Sequence, residues 1–495
     1  MKKNFKKEAF VAFVVATALV APFARAVDLI AVGSISGTYE DFATETSAPL
    51  ENGIAGNTLG GLGSGLAYAG GTTFLAIPDR GPNANPYNPL VDDTVSYINR
   101  FQTLNLSLAH RVDPLTGLPF TLTPMLLDTT LLSSRTRLNY GTGAGLGYRI
   151  DGVTPLGSGA PALNAVRHTN YFTGRSDNFD ATKPSTNPNN GRLDPESIRV
   201  SNDGKTVFIS DEYGPYIYQF DRETGSRIRS FELPTNLAIT SLSSQSAQEI
   251  ANNPVGRVTN KGMEGLAITP DGKMLVGIMQ ANLEQDKKGS LRIVTVNIQN
   301  GATHEYAYQL SAGGSGVSDI LAVNNHQFLV DERDGTGLGE KPLLTDTASK
   351  ALVKKVYLID IAGAQDITHV AGPNADLSSF AVPKSLFFDF VAKITAAGFS
   401  SYMIPSKMEG LAFGQDVVIQ GETVHTLFFA NDNDFLATNA DPLKLPNDQT
   451  RGLVANPNMF YVFAFKDSEL PGFVPQRIRD DSSEDCHSDF DGGKR

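Results

Sequence analysis

The stretch Asn260 to Gln280, "NKGMEGLAITPDGKMLVGIMQ", has an echo at Pro405, "PSKMEGLAFGQDVVIQG". In both, a Lys stands just upstream of Met-Glu-Gly-Leu-Ala and an apolar run follows. A third version at Arg192, "RLDPESIRVSNDGKTVFISDEYG", keeps the Glu, a small residue and a branched apolar residue. Aligned on this position, the repeated unit is a short apolar strand, a turn, and a second apolar strand ending in acidic residues. A variable insertion then leads to a strand alternating aromatic and aliphatic residues. Two further copies start at Ser64, "SGLAYAGGTTFLAIPDRG", and at Ser318, "SDILAVNNHQFLVDERDG". "NDG" at Asn202 and "PDG" at Pro270 are tight-turn signals between paired strands. The Asp203 and Asp271 inside them serve turn geometry.

Three- to four-stranded units recurring along one chain read as blades of a β-propeller, an all-β fold with short helical insertions. The expectation is six blades: the five visible copies plus one in the long gap around "LPFTLTPMLLD" (Leu118 to Asp128), with seven left open if the terminal strands close another. A run of separate β-sandwiches is the rival, but it would not hold a Glu in one register. The segments from Leu233 to Arg257 and from Val382 to Phe399 carry the best helical patterns.

The first residues, "MKKNFKKEAFVAFVVATALVAPFARAVDLI", combine a basic start, an apolar run too short to span a bilayer, and Ala24-Arg25-Ala26. That is the pattern of a secretory signal peptide. The expected organisation is therefore a signal peptide over 1–26, a propeller domain over 27–476 and a disordered acidic tail over 477–495, in a protein exported to a periplasm or beyond. Cleavage removes five basic residues and one acidic one, leaving 36 against 52 and a net charge of −16 in place of −12. Such a surface repels phosphates over most of its area, which disfavours nucleic acid and anionic lipid as partners and is compatible with cation binding. No later apolar run predicts membrane insertion, and a monomer is expected. The lone Cys486 sits in the polar tail, so a large core must supply the stability.

In a blade the second strand runs antiparallel to the first, so the start of one and the end of the other share a rim. Glu196, Glu264 and Glu409 begin first strands. Asp79, Asp211, Glu212, Asp331, Glu332, Asp432 and Asp434 end second strands. Carboxylates gathered at one mouth repel one another unless a cation sits among them. Hard oxygen ligands from several loops suit Ca²⁺. Arg80, Arg192, Lys261, Arg333 and Lys407 share that rim and can hold an anion such as a phosphate ester beside the metal. The plainer alternative is that pairs such as Lys407–Glu409 and Lys261–Glu264 are rim salt bridges that neutralise each other. No GxSxG elbow and no RHGxRxP box occurs, and the seven His lack HxH or HExxH spacing.

With "PDRGPN" (Pro78), "DPESI" (Asp194), "SDEYGPYIYQFD" (Ser210), "NKGMEGLAITPDGK" (Asn260), "LVDERDG" (Leu329), "KMEGLAF" (Lys407) and "ANDNDF" (Ala430) in order, the chain resembles the phytase-like family, known for an "esterase-like activity of phytase". The resemblance implies a secreted propeller hydrolysing phosphate or other esters with Ca²⁺. Neither a DDPA-type nor an NNVD-type motif of the β-propeller phytases is present. On this reading the metal would lie on Asp79, Glu196, Asp211, Glu212, Asp331, Glu332, Asn431 and Asp432. Glu264, Glu409, Arg80 and Arg333 would act on a small, phosphorylated ester, and Arg192, Lys261 and Lys407 would bind it. Two other readings are a non-catalytic Ca²⁺-stabilised propeller and a lactonase-like carboxylester hydrolase.

Overall fold

A computed structural model describes residues 27–479. The sequence unit forms an antiparallel sheet each time it occurs; among the described residues four of these have four strands, and the fifth adds the short strand Val417–Ile419 to its four. The first blade comprises Gly65–Tyr68, Thr73–Ile77, Arg100–Ala109 and Thr121–Leu131. The second comprises Pro195–Val200, Thr206–Asp211, Tyr216–Asp221 and Arg227–Phe231. Met263–Ile268, Met274–Met279, Ser290–Asn297 and Thr303–Gln309 make the third. The fourth is Gly316–Ala322, Gln327–Arg333, Lys354–Asp360 and Lys384–Asp389. The fifth takes Lys407–Phe413, Glu422–Asp432 and Asn458–Phe465 from late in the chain and Asp28–Ile35 from its start.

The propeller is as expected, with five blades in place of six. "LPFTLTPMLLD" supplies the outer strand of the first blade, paired along Arg100–Ala109, and forms no blade of its own. The N-terminal strand completes the fifth blade and fastens the ring. Each innermost strand packs against the innermost strands of both neighbouring blades, so the five close on themselves. Apolar residues of facing sheets fill the wedges between blades. Leu75, Ile77 and Phe101 of the first blade meet Ile198, Ile209 and Phe220 of the second. Fully burying each such side chain contributes about 1.5–3 kcal/mol.

Of the two helical patterns, the first yields a helix at Ser246–Asn252. In the second, only Phe390–Ala396 is helical, opened by the Asp389 carboxylate accepting from Ala392 N. The preceding Lys384–Asp389 pairs instead with the third strand of its blade. The signal peptide over 1–26, and the tail from residue 480 with Cys486, lie outside the described residues. Residues 477–479 are described, and Arg479 N bonds Asn202 O at 3.0 Å.

Met-Glu-Gly-Leu-Ala now has a physical reading. Met263 pairs Met279 and Gly265 pairs Ile278, leaving Glu264 as the extra residue of a β-bulge. Glu409 is the extra residue between Met408 and Gly410 in the same way. In the second blade Glu196 and Ser197 face a single partner position, and in the fourth the bulge falls on Ser318. A bulge re-aims one side chain and twists its strand. The following Gly permits close contact between blades: a Cβ on Gly265 would lie 2.7 Å from Ile320 N and 2.8 Å from Asp319 Cα. Leu266 and Leu411 then enter the core.

Below the bulges the channel is bridged by an ion pair. Arg199 Nη2 donates to both oxygens of Asp319 at 2.8 Å and to Ile320 O at 3.0 Å, while Nη1 donates to Leu66 O at 2.8 Å. Asp319 Oδ2 accepts from Leu411 N at 3.0 Å. Ser197 Oγ stands 3.2 Å from Asp319 Oδ1 and 3.4 Å from Leu266 O. These bonds touch the innermost strand of every blade. Breaking a buried pair by removing one partner strands the other charge. Arg199→Met and Asp319→Ala are each expected to lower unfolding free energy by about 3–5 kcal/mol in urea titrations. A double replacement with apolar residues should cost less than the sum of the two.

Candidate functional site

The bulged Glu side chains and the ends of the second strands meet at one mouth of the channel. Pairing of Pro195 with Asp211, Met263 with Met279, Gly316 with Arg333 and Lys407 with Asp432 sets both groups at the same level. Around the ring, Glu196 stands in the field of Glu264, Asp194, Glu212 and Asp79. Glu264 faces Glu212, Glu409 and Arg333, and Asp79 faces Asp432, which closes the circle.

Three carboxylates are closest together. Asp194, Glu196 and Glu212 each bring one oxygen within 4.8 Å of the others, and all three are buried. Asp194 N donates to Asp211 Oδ1 at 3.1 Å and Glu212 N donates to Asp194 O at 3.0 Å, which stiffens the segment bearing them. Arg80 clamps Asp194 from above through Nη1 at 2.6 Å and its backbone N at 3.0 Å, and it also reaches Asn260 Oδ1. Glu264 is fixed by Gln280 Nε2, which donates to its Oε1 at 2.7 Å; its Oε2 is buried with no partner. Arg333 donates to Ser318 Oγ at 2.5 Å and to Glu409, and lies 3.8 Å from Glu264. Lys407 pairs with Asp432 and Asp434.

Burial dominates the electrostatics. It pushes Glu196, Glu264 and Asp79 well above the ordinary carboxylate range, helped in each case by a neighbouring carboxylate. Asp211 and Glu212 rise to about 7, and Asp331 to about 8, again chiefly through burial. Arg333 and Lys407 act against burial at Glu409 and leave it only moderately raised.

Several expected residues stand elsewhere. Side chains alternate along a strand, so Glu332 turns away from Asp331 and Arg333. It is held by Tyr308 OH and Lys384 Nζ, each at 2.5 Å, between the third and fourth blades. Arg192 is buried, stacked between Phe179 and Tyr213 at 4.7 Å and 3.5 Å from Glu249. Lys261 is exposed on the loop entering the third blade. Asn431 accepts from Met459 N at 2.5 Å and so ties its own blade together. In place of the two candidate rim pairs, Lys407 takes Asp432 and Asp434, Glu409 takes Arg333, and Glu264 takes Gln280 with Arg333 at 3.8 Å. Asp194 and Gln280 were not singled out. Asp194 could have been, because it sits two residues before Glu196 in the same motif.

The family described as "Phytase-like: Esterase-like activity of phytase" matches residues 57–435. A curated protein of Arthroderma benhamiae described as an uncharacterized secreted protein is 28% identical over 300 residues, 52% of this chain and 53% of that one. The chain thus spans about half the length of this relative. Among solved structures, the Pseudomonas aeruginosa periplasmic gluconolactonase PpgL aligns at 11% identity over 88% of this chain and 99% of its own, with a TM-score of 0.29. Kuenenia stuttgartiensis hydrazine synthase aligns at 11% over 76% and 78%, with a TM-score of 0.27. No helix among the described residues is long and apolar enough to cross a membrane.

A carboxyl raised in the fold holds a proton that the unfolded chain has released between about pH 4 and the raised value. Stability therefore falls as pH rises through that window, here up to about 7 for Asp211 and Glu212 and about 8 for Asp331. Chelator-treated protein is expected to melt several degrees lower at about pH 8 than at about pH 5.5. Millimolar Ca²⁺ should raise Tm more at the higher pH. Scanning fluorimetry measures both.

Proposed function

The chain belongs to the phytase-like family, and on that premise we propose that it is an exported, Ca²⁺-dependent phosphoric ester hydrolase working at the acidic mouth of the propeller. The observation that carries this reading is the buried triad Asp194, Glu196 and Glu212, with oxygens within 4.8 Å of one another. Three buried carboxylates at that spacing are costly without a cation, and an all-oxygen donor set suits a hard ion. The partnerless Glu264 Oε2 beside them fits the same account. Bound there, Ca²⁺ supplies the positive charge that lets a phosphoryl group approach the carboxylates and that offsets charge building on its oxygens.

The chain's own groups divide the remaining work. A guanidinium carries five N–H donors in a rigid fork. Arg80 and Arg333 each commit only part of that fork to the carboxylates that hold them. Their remaining donors can orient the phosphoryl oxygens, and Lys407, 30% exposed at its side chain, adds positive charge at the entrance. Glu264 is oriented by Gln280, and with a cation bound beside it to hold it ionised its second oxygen could take a proton from an attacking water. Arg333, next to both Glu264 and Glu409, keeps the fourth and fifth blades' side of the mouth in place.

Purified protein should release phosphate from p-nitrophenyl phosphate in Ca²⁺ and stop when chelator is added. Glu264→Gln should lower kcat about 10²-fold or more with a small change in KM. Glu196→Gln and Glu212→Gln should each weaken Ca²⁺ binding by about 10-fold or more in calorimetry. If Ca²⁺ raises Tm but no phosphate or carboxylate ester is turned over, the hydrolase reading fails and a ligand-binding propeller replaces it.

A further inference from the structure

Beside the mouth, a cleft of about 270 Å³ opens on the outer side of Arg80. Arg80 joins the two spaces: one face of its guanidinium clamps Asp194 of the triad, and the same side chain lines the cleft. The other walls come from the loop between the second and third strands of the first blade, with Asp92, Asp93 and Thr94, and from the segment entering the third blade, with Asn260. Tyr213 forms part of the floor. Any ester whose phosphoryl group sits at the triad and Arg80 has this cleft as a place for its alcohol portion.

The chemistry of the walls discriminates among alcohols. Asp92 accepts from Ser246 N at 2.7 Å and from Ser246 Oγ at 2.6 Å, both through Oδ2. Asp93 accepts from Tyr87 N at 2.8 Å and Asn88 N at 2.7 Å, both through Oδ1. Each aspartate thus spends one oxygen on the protein, and these bonds leave the other oxygen unengaged. Both residues are partly buried on the cleft wall, where their oxygens can accept from hydroxyl groups. A second phosphate on the ligand, carrying about −1.5 to −2 charges, would meet two carboxylates at close range. Among the described residues, the cationic side chain on the cleft wall is Arg80, already turned to the triad.

Resting on the hydrolase reading above, we propose that this cleft selects the leaving group, and that the substrates are phosphomonoesters of hydroxylated, uncharged alcohols such as sugars and small polyols. Alcohols carrying several phosphates are rejected by Asp92 and Asp93. The residues that would position the reacting phosphoryl group and those that choose its alcohol thus lie on opposite sides of one arginine.

The test compares kcat/KM in Ca²⁺ for glycerol 3-phosphate and glucose 6-phosphate with that for fructose 1,6-bisphosphate and inositol hexakisphosphate, with p-nitrophenyl phosphate as a reference. The monophosphates should lead by at least about 10-fold, since a desolvated like-charge contact costs that much or more. Asp92→Asn and Asp93→Asn keep an oxygen for the existing backbone bonds while removing the charge, and together should narrow the ratio by about 10-fold. Calorimetric binding of the same four compounds reads the selectivity without turnover, and far-UV circular dichroism checks that the variants fold. Equal or better use or binding of the polyphosphorylated compounds by the wild type, or a ratio unmoved in correctly folded variants, would overturn the proposal. Loss of the hydrolase reading looks different: no phosphate is released even from p-nitrophenyl phosphate.

Discussion

Five sheets can meet around an axis only if their innermost strands agree on one register there, and the Arg199–Asp319 pair enforces that agreement. One guanidinium and one carboxylate reach Leu66 O, Ile320 O and Leu411 N, and Ser197 Oγ carries the contact on to Leu266 O. Few side chains other than Arg can serve so many acceptors at once, because its fork of donors is planar and permanently charged. The pair crosses the channel at that level, with Asp319 fully buried and Arg199 3% exposed. The acidic mouth forms a cup above it.

The cup is acidic because of bulges. Without an extra residue, Glu264 and Glu409 would take their place in the ladder and alternate with Met and Gly. As bulged residues they leave the pairing pattern and stand at the mouth. The glycine after each is there for a different reason, since the neighbouring blade's backbone occupies the space of a side chain. One five-residue motif thus combines a core anchor, a carboxylate at the mouth and a tight contact between blades. The cost is a mouth in which buried carboxylates face one another, eased at its edges by Arg80, which pairs with Asp194, by Arg333 on Glu409 and by Lys407 on Asp432, while Glu196 and Glu212 stay pushed up by burial and their carboxylate neighbours.

Much of this was legible in the sequence, for a definite reason. Strand alternation, turn dipeptides and a Glu kept in register are local patterns, and they sufficed for the propeller and for the meeting of Glu196, Glu264 and Glu409. The blade count was less accessible. The outer strand of the first blade is followed by a long irregular connection before the second, and the fifth blade borrows its last strand from Asp28–Ile35, more than 400 residues from its partner in the chain. Period-two alternation should have separated Glu332 from Asp331 and Arg333, since only one parity can face the axis. Arg192 and Asn431 were indistinguishable from rim residues by position alone; their partners, Glu249 and Met459 N, come from segments that the sequence does not connect to them. Asp319 was hidden because it replaces the motif's Gly, a position that elsewhere signals only close packing.

The account stands on a divalent cation held by carboxylates from separate strands. The most direct measurement is an anomalous difference map from crystals grown with Ca²⁺ or Mn²⁺. A peak about 2.1–2.6 Å from oxygens of Asp194, Glu196 and Glu212 is the predicted result. Clear density for those side chains with no peak among them, at saturating metal, would contradict it.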